Sequence, residues 1–219
     1  MTIGAEHVRA GLGAVRERIV AAGGHPERIT VVAVTKGFGV EAVEAAREAG
    51  ATHVGENYAQ ELLAKAEAMA PGPAPLWHFI GGLQTNKVRR VAHLVDLWES
   101  VDRPSLGAEV AKRAPGARVL AQVNISGEAT KSGCQPENTA TLVSELRDLG
   151  LDVRGLMGVA APGDDGRARA QFGRLAEQAA ALELADLSMG MSADLEAAVA
   201  EGATIVRVGT ALFGPRPPR

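Results

Sequence analysis

Cysteine is nearly missing from this chain. Cys134 is the single thiol in 219 residues, so no internal disulfide can form. That suits a reducing compartment without requiring one. Aromatic residues are also scarce, at 3% of the total, which is poor material for stacking on bases. Positive charge is not in excess: 23 Lys and Arg face 26 Asp and Glu, for a net charge of −3. Nucleic acid is therefore excluded as the main partner, because phosphate binding needs a basic surface. Long apolar runs are missing too. No stretch is apolar enough to span a bilayer, and the start, Met1 to His7, lacks the apolar core of a signal peptide. A cytoplasmic protein with no membrane partner is expected.

What remains is ordinary globular composition, 46% apolar and 22% charged. Its order along the chain is informative. Short Val/Ile/Leu runs read as buried strands at 29–35, 52–55, 77–81, 94–98, 119–125, 153–158, 185–189 and 204–208. Between them, Ala/Glu/Arg/Leu segments with helical spacing cover 40–49, 57–70, 84–91, 104–114, 136–149, 167–183 and 192–201. A further helix at about 4–22 precedes the first strand. Continuous apolar strands alternating with helices predict a parallel sheet covered by helices. Eight such units in this length predict an α/β fold of (β/α)₈ TIM-barrel type with an extra N-terminal helix. The competing doubly wound sheet lacks its Gly-x-Gly-x-x-Gly fingerprint after the first strand. Residues 1–219 are expected to form one domain. The tail, Pro215 to Arg219, is expected to be frayed, with no second domain after the eighth strand.

Lys36 ends the first strand, where a core should be closing. Desolvation there disfavours the ammonium and favours a free amine, which can capture an aldehyde as a Schiff base. The bland alternative is a lysine that snorkels to water. In a (β/α)₈ barrel, function sits at the C-terminal strand ends, and polar residues gather at these ends all around the predicted rim. After strand seven, Ser192 is placed to cap a helix beginning at Ala193. After strand eight, Gly209 and Thr210 offer backbone approach and a hydroxyl. These two segments together suit a phosphate group. Arg207, inside strand eight, needs an acceptor if it faces inward. A pyridine nitrogen is one candidate, and Arg207 would leave it unprotonated. Glu56 or Glu99 is the alternative. His53 and His78 read as core or hydrogen-bonded residues, no cluster has metal-ligand spacing, and the polar segment Asn124 to Gly133 is a candidate lid.

These strand ends resemble the pyridoxal 5′-phosphate homeostasis proteins, a family of PLP-binding barrels similar in fold to the N-terminal barrel of alanine racemase. The resemblance rests on Val32-Ala33-Val34-Thr35-Lys36, Gly55-Glu56-Asn57-Tyr58, Trp77-His78-Phe79-Ile80-Gly81 and Leu83-Gln84-Thr85-Asn86-Lys87. It continues through Asn124-Ile125, Lys131-Ser132-Gly133, Gly155-Leu156-Met157, Leu187 to Asp194 and Arg207 to Gly214. Gly82 and Ala59 depart from the residues common there. The resemblance implies that Lys36 carries PLP as a covalent aldimine. It implies that the phosphate lies against the segments after strands seven and eight, with Ser188 or Ser192 in contact. It also implies that Asn57 lines the pocket and that Arg207 faces the ring nitrogen. The function implied is holding PLP in intracellular homeostasis, with transient hand-over to apoenzymes, as a monomer and without established catalysis. The alternative is a PLP-dependent amino-acid racemase. Racemisation needs an acid/base on each face of the substrate carbon, and Tyr58 is the single tyrosine available.

Overall fold

Alternation along each strand sorts side chains between two places: the inside of a closed barrel and the space under its helices. The computed structural model describes residues 3–128 and 130–216. Its strands are β1 (Thr30–Val34), β2 (His53–Glu56), β3 (Leu76–Phe79), β4 (Val95–Val101), β5 (Arg118–Val123), β6 (Asp152–Gly158), β7 (Asp186–Ser188) and β8 (Ile205–Val208). They pair in parallel in sequence order, and β8 returns to β1 with Val32 opposite Arg207. The expected (β/α)₈ barrel is what forms. Val32, Leu97, Leu120, Met157 and Ile205 make a small apolar cluster inside it, while Phe79, Trp98 and Leu156 belong to the larger core beneath the helices.

The helices between strands are α2 (Val40–Glu48), α3 (Ala59–Ala68), α4 (Thr85–Val91), α5 (Pro104–Arg113), α6 (Thr139–Asp148), α7 (Asp165–Ala181) and α8 (Leu195–Ala200). That is seven, one short of a full ring. The extra helix, α1 (Ala5–Ala21), completes it by packing against α2 and α8. Its Val8, Leu12, Val15 and Ile19 follow helical spacing and are buried. Each such side chain contributes about 1.5–3 kcal/mol of transfer free energy. Gly11 lets α1 come close: a Cβ there would lie 2.7 Å from the Ala211 carbonyl oxygen.

The departures from expectation have local causes. The helix expected over 192–201 starts only at Leu195, because Met191 N–H donates to Asp194 Oδ1 (2.6 Å) and holds 191–194 in a turn. Ser192 is thus not its cap. The helix expected over 136–149 begins as a 3₁₀ turn, Pro136–Asn138. β4 runs to Val101, three residues beyond its expected end. A short helix, α9 (Thr210–Phe213), follows β8, where no helix was expected. Of the supposedly frayed tail, Arg216 lies against the glycine after Lys36, and Pro217 to Arg219 lie outside the described residues. No helix among the described residues is long and apolar enough to cross a membrane.

Candidate functional site

At the C-terminal ends of the strands lies a cavity of about 340 Å³. The structure brings six sequence-predicted residues to its wall: Lys36, Asn57, Ser192, Arg207, Gly209 and Thr210. Ser188, the seventh, is elsewhere. It is fully buried, and its hydroxyl lies between Glu99 and Arg207 instead of facing the cavity. Of the two serines left as alternatives, Ser192 is the one at the wall. The candidate lid is tied to itself: Asn124 Nδ2 donates to the Glu128 carbonyl (2.9 Å), and Ser126 Oγ donates to Asn124 Oδ1 (3.0 Å). Ala129, within it, lies outside the described residues.

Lys36 leaves the end of β1 pointing into the barrel and is half-buried. Among the described residues no group hydrogen-bonds its amine. Burial pushes its pKa down, the Arg216 and Arg207 charges push the same way, and Glu56 pulls weakly back. Arg216 had no clear signal in the sequence, since a proline-rich terminus gives no reason to place a charge over the rim.

Ser192 is held from two sides. Its Oγ accepts from the Ala211 N–H in the first turn of α9 (3.3 Å), and its carbonyl accepts from Arg18 of α1 (3.0 Å). Arg18 also pairs with Glu196 (2.6 Å). The N-terminal helix therefore fastens the β7–α8 loop against the site as well as closing the helical ring. Gly190 makes that loop possible: its φ is +90°, and a Cβ would fall 2.5 Å from Ala198 Cβ.

Arg207 is buried inside the barrel. Its guanidinium donates to Ser188 Oγ (2.6 Å) and to the Gly158 carbonyl (2.9 Å), with Glu99 Oε2 at 3.9 Å. Glu99, one of the two carboxylates weighed as its partner, is thus beside it. Glu56 is not, because it faces the opposite side of the wall and bonds Lys65 and Thr35. Ser188 Oγ donates to Glu99 Oε2 (2.5 Å), His78 Nδ1 lies 2.5 Å from Glu99 Oε1, and His53 Nδ1 lies 2.8 Å from His78 Nε2. A file of polar groups runs from the functional cavity to a smaller one of about 190 Å³ that His53 and His78 line at the N-terminal end. The two histidines are hydrogen-bonded barrel residues, as their sequence context suggested. Burial alone would raise the Glu99 pKa. The His78 hydrogen bond, the His78 and Arg207 charges and the Ser188 hydroxyl together outweigh burial and lower it.

The wall suits an anionic ligand. It carries a desolvated amine, two guanidinium groups and two hydroxyls. Asn57 lines the cavity, and its buried Oδ1 has no hydrogen-bond partner among the described residues. Among the described residues no cluster of ligating side chains could hold a metal ion.

Comparison with known proteins identifies the family. The family model for the N-terminal domain of alanine racemase matches residues 11–217. The pyridoxal phosphate homeostasis protein of Pseudomonas aeruginosa is 43% identical over 220 residues, covering 97% of this chain and 95% of its own. The solved structure of PipY from Synechococcus elongatus with PLP bound superposes with a TM-score of 0.78 at 32% identity, covering 91% of this chain and all of that one. Alanine racemase from Clostridium difficile shares the fold at 16% identity, with a TM-score of 0.76 over 99% of this chain and 58% of that one.

Proposed function

From the premise that this chain belongs to the pyridoxal phosphate homeostasis protein family, we propose that it binds PLP through Lys36 and serves PLP homeostasis by holding and releasing the cofactor. When bound, the cofactor supplies an aldehyde that an amine captures as a Schiff base with loss of water, and an aromatic ring nitrogen. The observation that carries the reading is the Lys36 amine, desolvated, without a hydrogen bond to any described residue and sharing one cavity with Arg207 and Ser192. Its lowered pKa raises the fraction of free base available for capture at neutral pH.

The other residues divide the remaining contacts. Ser192, Gly209 and Thr210, on the two loops after β7 and β8, hold the phosphate. Asn57 closes the side of the pocket with its free amide oxygen. Arg207 donates to the ring nitrogen and, having no proton to give up in practice, leaves it unprotonated. Ser188 supports Arg207 and is not a phosphate ligand.

We read the protein as a carrier and not a catalyst. An unprotonated ring is a poor electron sink. Racemisation needs a proton-transfer group on each face of the substrate carbon, and among the described wall residues Lys36 is the one with a pKa lowered toward such a role. Tyr58 is exposed at the start of α3 and is not part of the wall. Transient transfer to apoenzymes and a monomeric state complete the proposal.

Titration of ligand-free protein with PLP tests it. Wild type is expected to develop the visible absorption of a lysine-bound chromophore and to activate an acceptor apoenzyme; Lys36→Ala is expected to do neither. Equal binding and transfer by Lys36→Ala would overturn the assignment, and alanine racemisation at an enzyme-like rate would overturn the carrier reading.

A further inference from the structure

The hydrogen bonds behind Arg207 have a fixed direction. Arginine can only donate, so Ser188 Oγ must accept from it at 2.6 Å. The serine has one proton, and the group left to take it is Glu99 Oε2, at 2.5 Å. An ionised carboxylate accepts only, which also assigns the His78 Nδ1 proton to the bond with Glu99 Oε1. Every hydrogen from His78 Nδ1 to Arg207 is thereby aimed, and the file ends on a guanidinium with its second nitrogen fastened to the Gly158 carbonyl. Two fastened nitrogens set the plane of the fork and leave its remaining N–H donors for the cavity.

We propose that Glu99, acting through Ser188 and braced by His78, is a positioning residue that sets the orientation of Arg207 toward the ring nitrogen of the cofactor. Glu99 is fully buried and is not among the residues lining the cavity. Its separation from Arg207, 3.9 Å, leaves Ser188 as the hydrogen-bonded link. The inference rests on the reading that Arg207 meets the ring nitrogen of bound PLP.

The test compares wild type with Ser188→Ala, Glu99→Gln, Arg207→Gln and the Ser188→Ala/Arg207→Gln double variant. PLP affinity and the pH midpoint of the bound chromophore are both measured. Ser188→Ala and Glu99→Gln are expected to weaken PLP by about tenfold, the scale of one hydrogen bond to a charged group. They are expected to move the midpoint in the same direction as Arg207→Gln, and the double variant should go no further than Arg207→Gln alone. A wild-type midpoint and affinity in Ser188→Ala, or effects that add in the double variant, overturn the proposal. Ser188→Ala keeps the test open if Glu99→Gln fails to fold. Should wild type bind no PLP, the cofactor reading fails separately, and positioning is read in ligand-free protein from the Arg207 guanidinium protons by NMR. Slow exchange in wild type that is lost in Ser188→Ala supports it; equal exchange overturns it.

Discussion

Two lysines meet the end of β1 from opposite sides of the barrel wall, and their surroundings differ in every respect that matters. Lys36 points inward to the cavity, half-buried, with two arginines and, more weakly, Glu56 as its charged neighbours and no hydrogen-bonded protein partner among the described residues. Lys65 comes from α3 on the outer side. It is 4% exposed and donates to Glu56 and to the Thr35 carbonyl (2.8 Å), with Glu61 at 3.7 Å. Glu61 in turn accepts from the Gly37 N–H (2.8 Å), so this outer network grips the residues on both sides of Lys36. The difference shows what makes a lysine reactive. Carboxylates that hold a buried ammonium make it structural; arginines beside a desolvated amine make it available.

Substitutions can break or sharpen that contrast. Lys65→Met has the largest expected effect on stability. It leaves Glu56 buried without its cation, and removing one partner of a buried pair costs about 3–5 kcal/mol. Burial already pushes the Glu56 pKa up, and Lys65 and Thr35 only partly offset it. Chemical denaturation should show the loss. A cost below about 1 kcal/mol, the level of an exposed ion pair, would mean that the outer lysine is not structural.

Ser192→Ala comes next. Losing a hydrogen bond to a charged phosphate should cost about 1.5–3 kcal/mol of PLP affinity, about tenfold or more. Binding of pyridoxal, which has no phosphate, should hardly change. Equal losses for both ligands would take Ser192 away from the phosphate.

Lys36→Ala should leave the stability of ligand-free protein within about 0.5 kcal/mol at neutral pH, in contrast to Lys65→Met. Its signature is the pH dependence. Lys36 is lowered from 10.5 in the folded state, so between that lowered value and 10.5 the unfolded chain binds more protons. Wild-type stability should therefore rise with pH across that window. The rise should be missing in Lys36→Ala; an unchanged slope would mean that the amine is not desolvated. Arg216→Ala should have the smallest effect. The side chain is exposed, so its removal should raise the Lys36 pKa slightly and weaken PLP by about twofold, less at high salt.

The Lys36 side of this contrast was legible before the structure. Valine-rich runs announced β1 and its neighbours, and the position of Lys36 after one of them marked it for chemistry. Five wall residues came from reading strand ends, because barrel geometry carries every C-terminal strand end to one rim, and Asn57 came from the family resemblance. The failures are places where sequence spacing does not report orientation. Ser188 and Ser192 are both polar residues near the end of β7; only the fold shows that one faces Glu99 and the other the cavity. Ser192 looked like a helix cap because Asp194, two residues on, could fill a turn equally well. Lys65 sits in an Ala/Glu/Lys helix that reads as solvated, and only docking of α3 turns it inward. The role of α1 was hidden for the same reason: nothing local in Arg18 announces that it reaches the carbonyl of Ser192.

The two lysines can be set against each other in one measurement. Ligand-free protein is incubated with PLP, reduced with borohydride, digested and mapped by mass spectrometry. The predicted result is one pyridoxyl modification, on Lys36, with Lys65 unmodified. Modification of Lys65 or of surface lysines at equal yield, or an unchanged map in Lys36→Ala, would contradict the account.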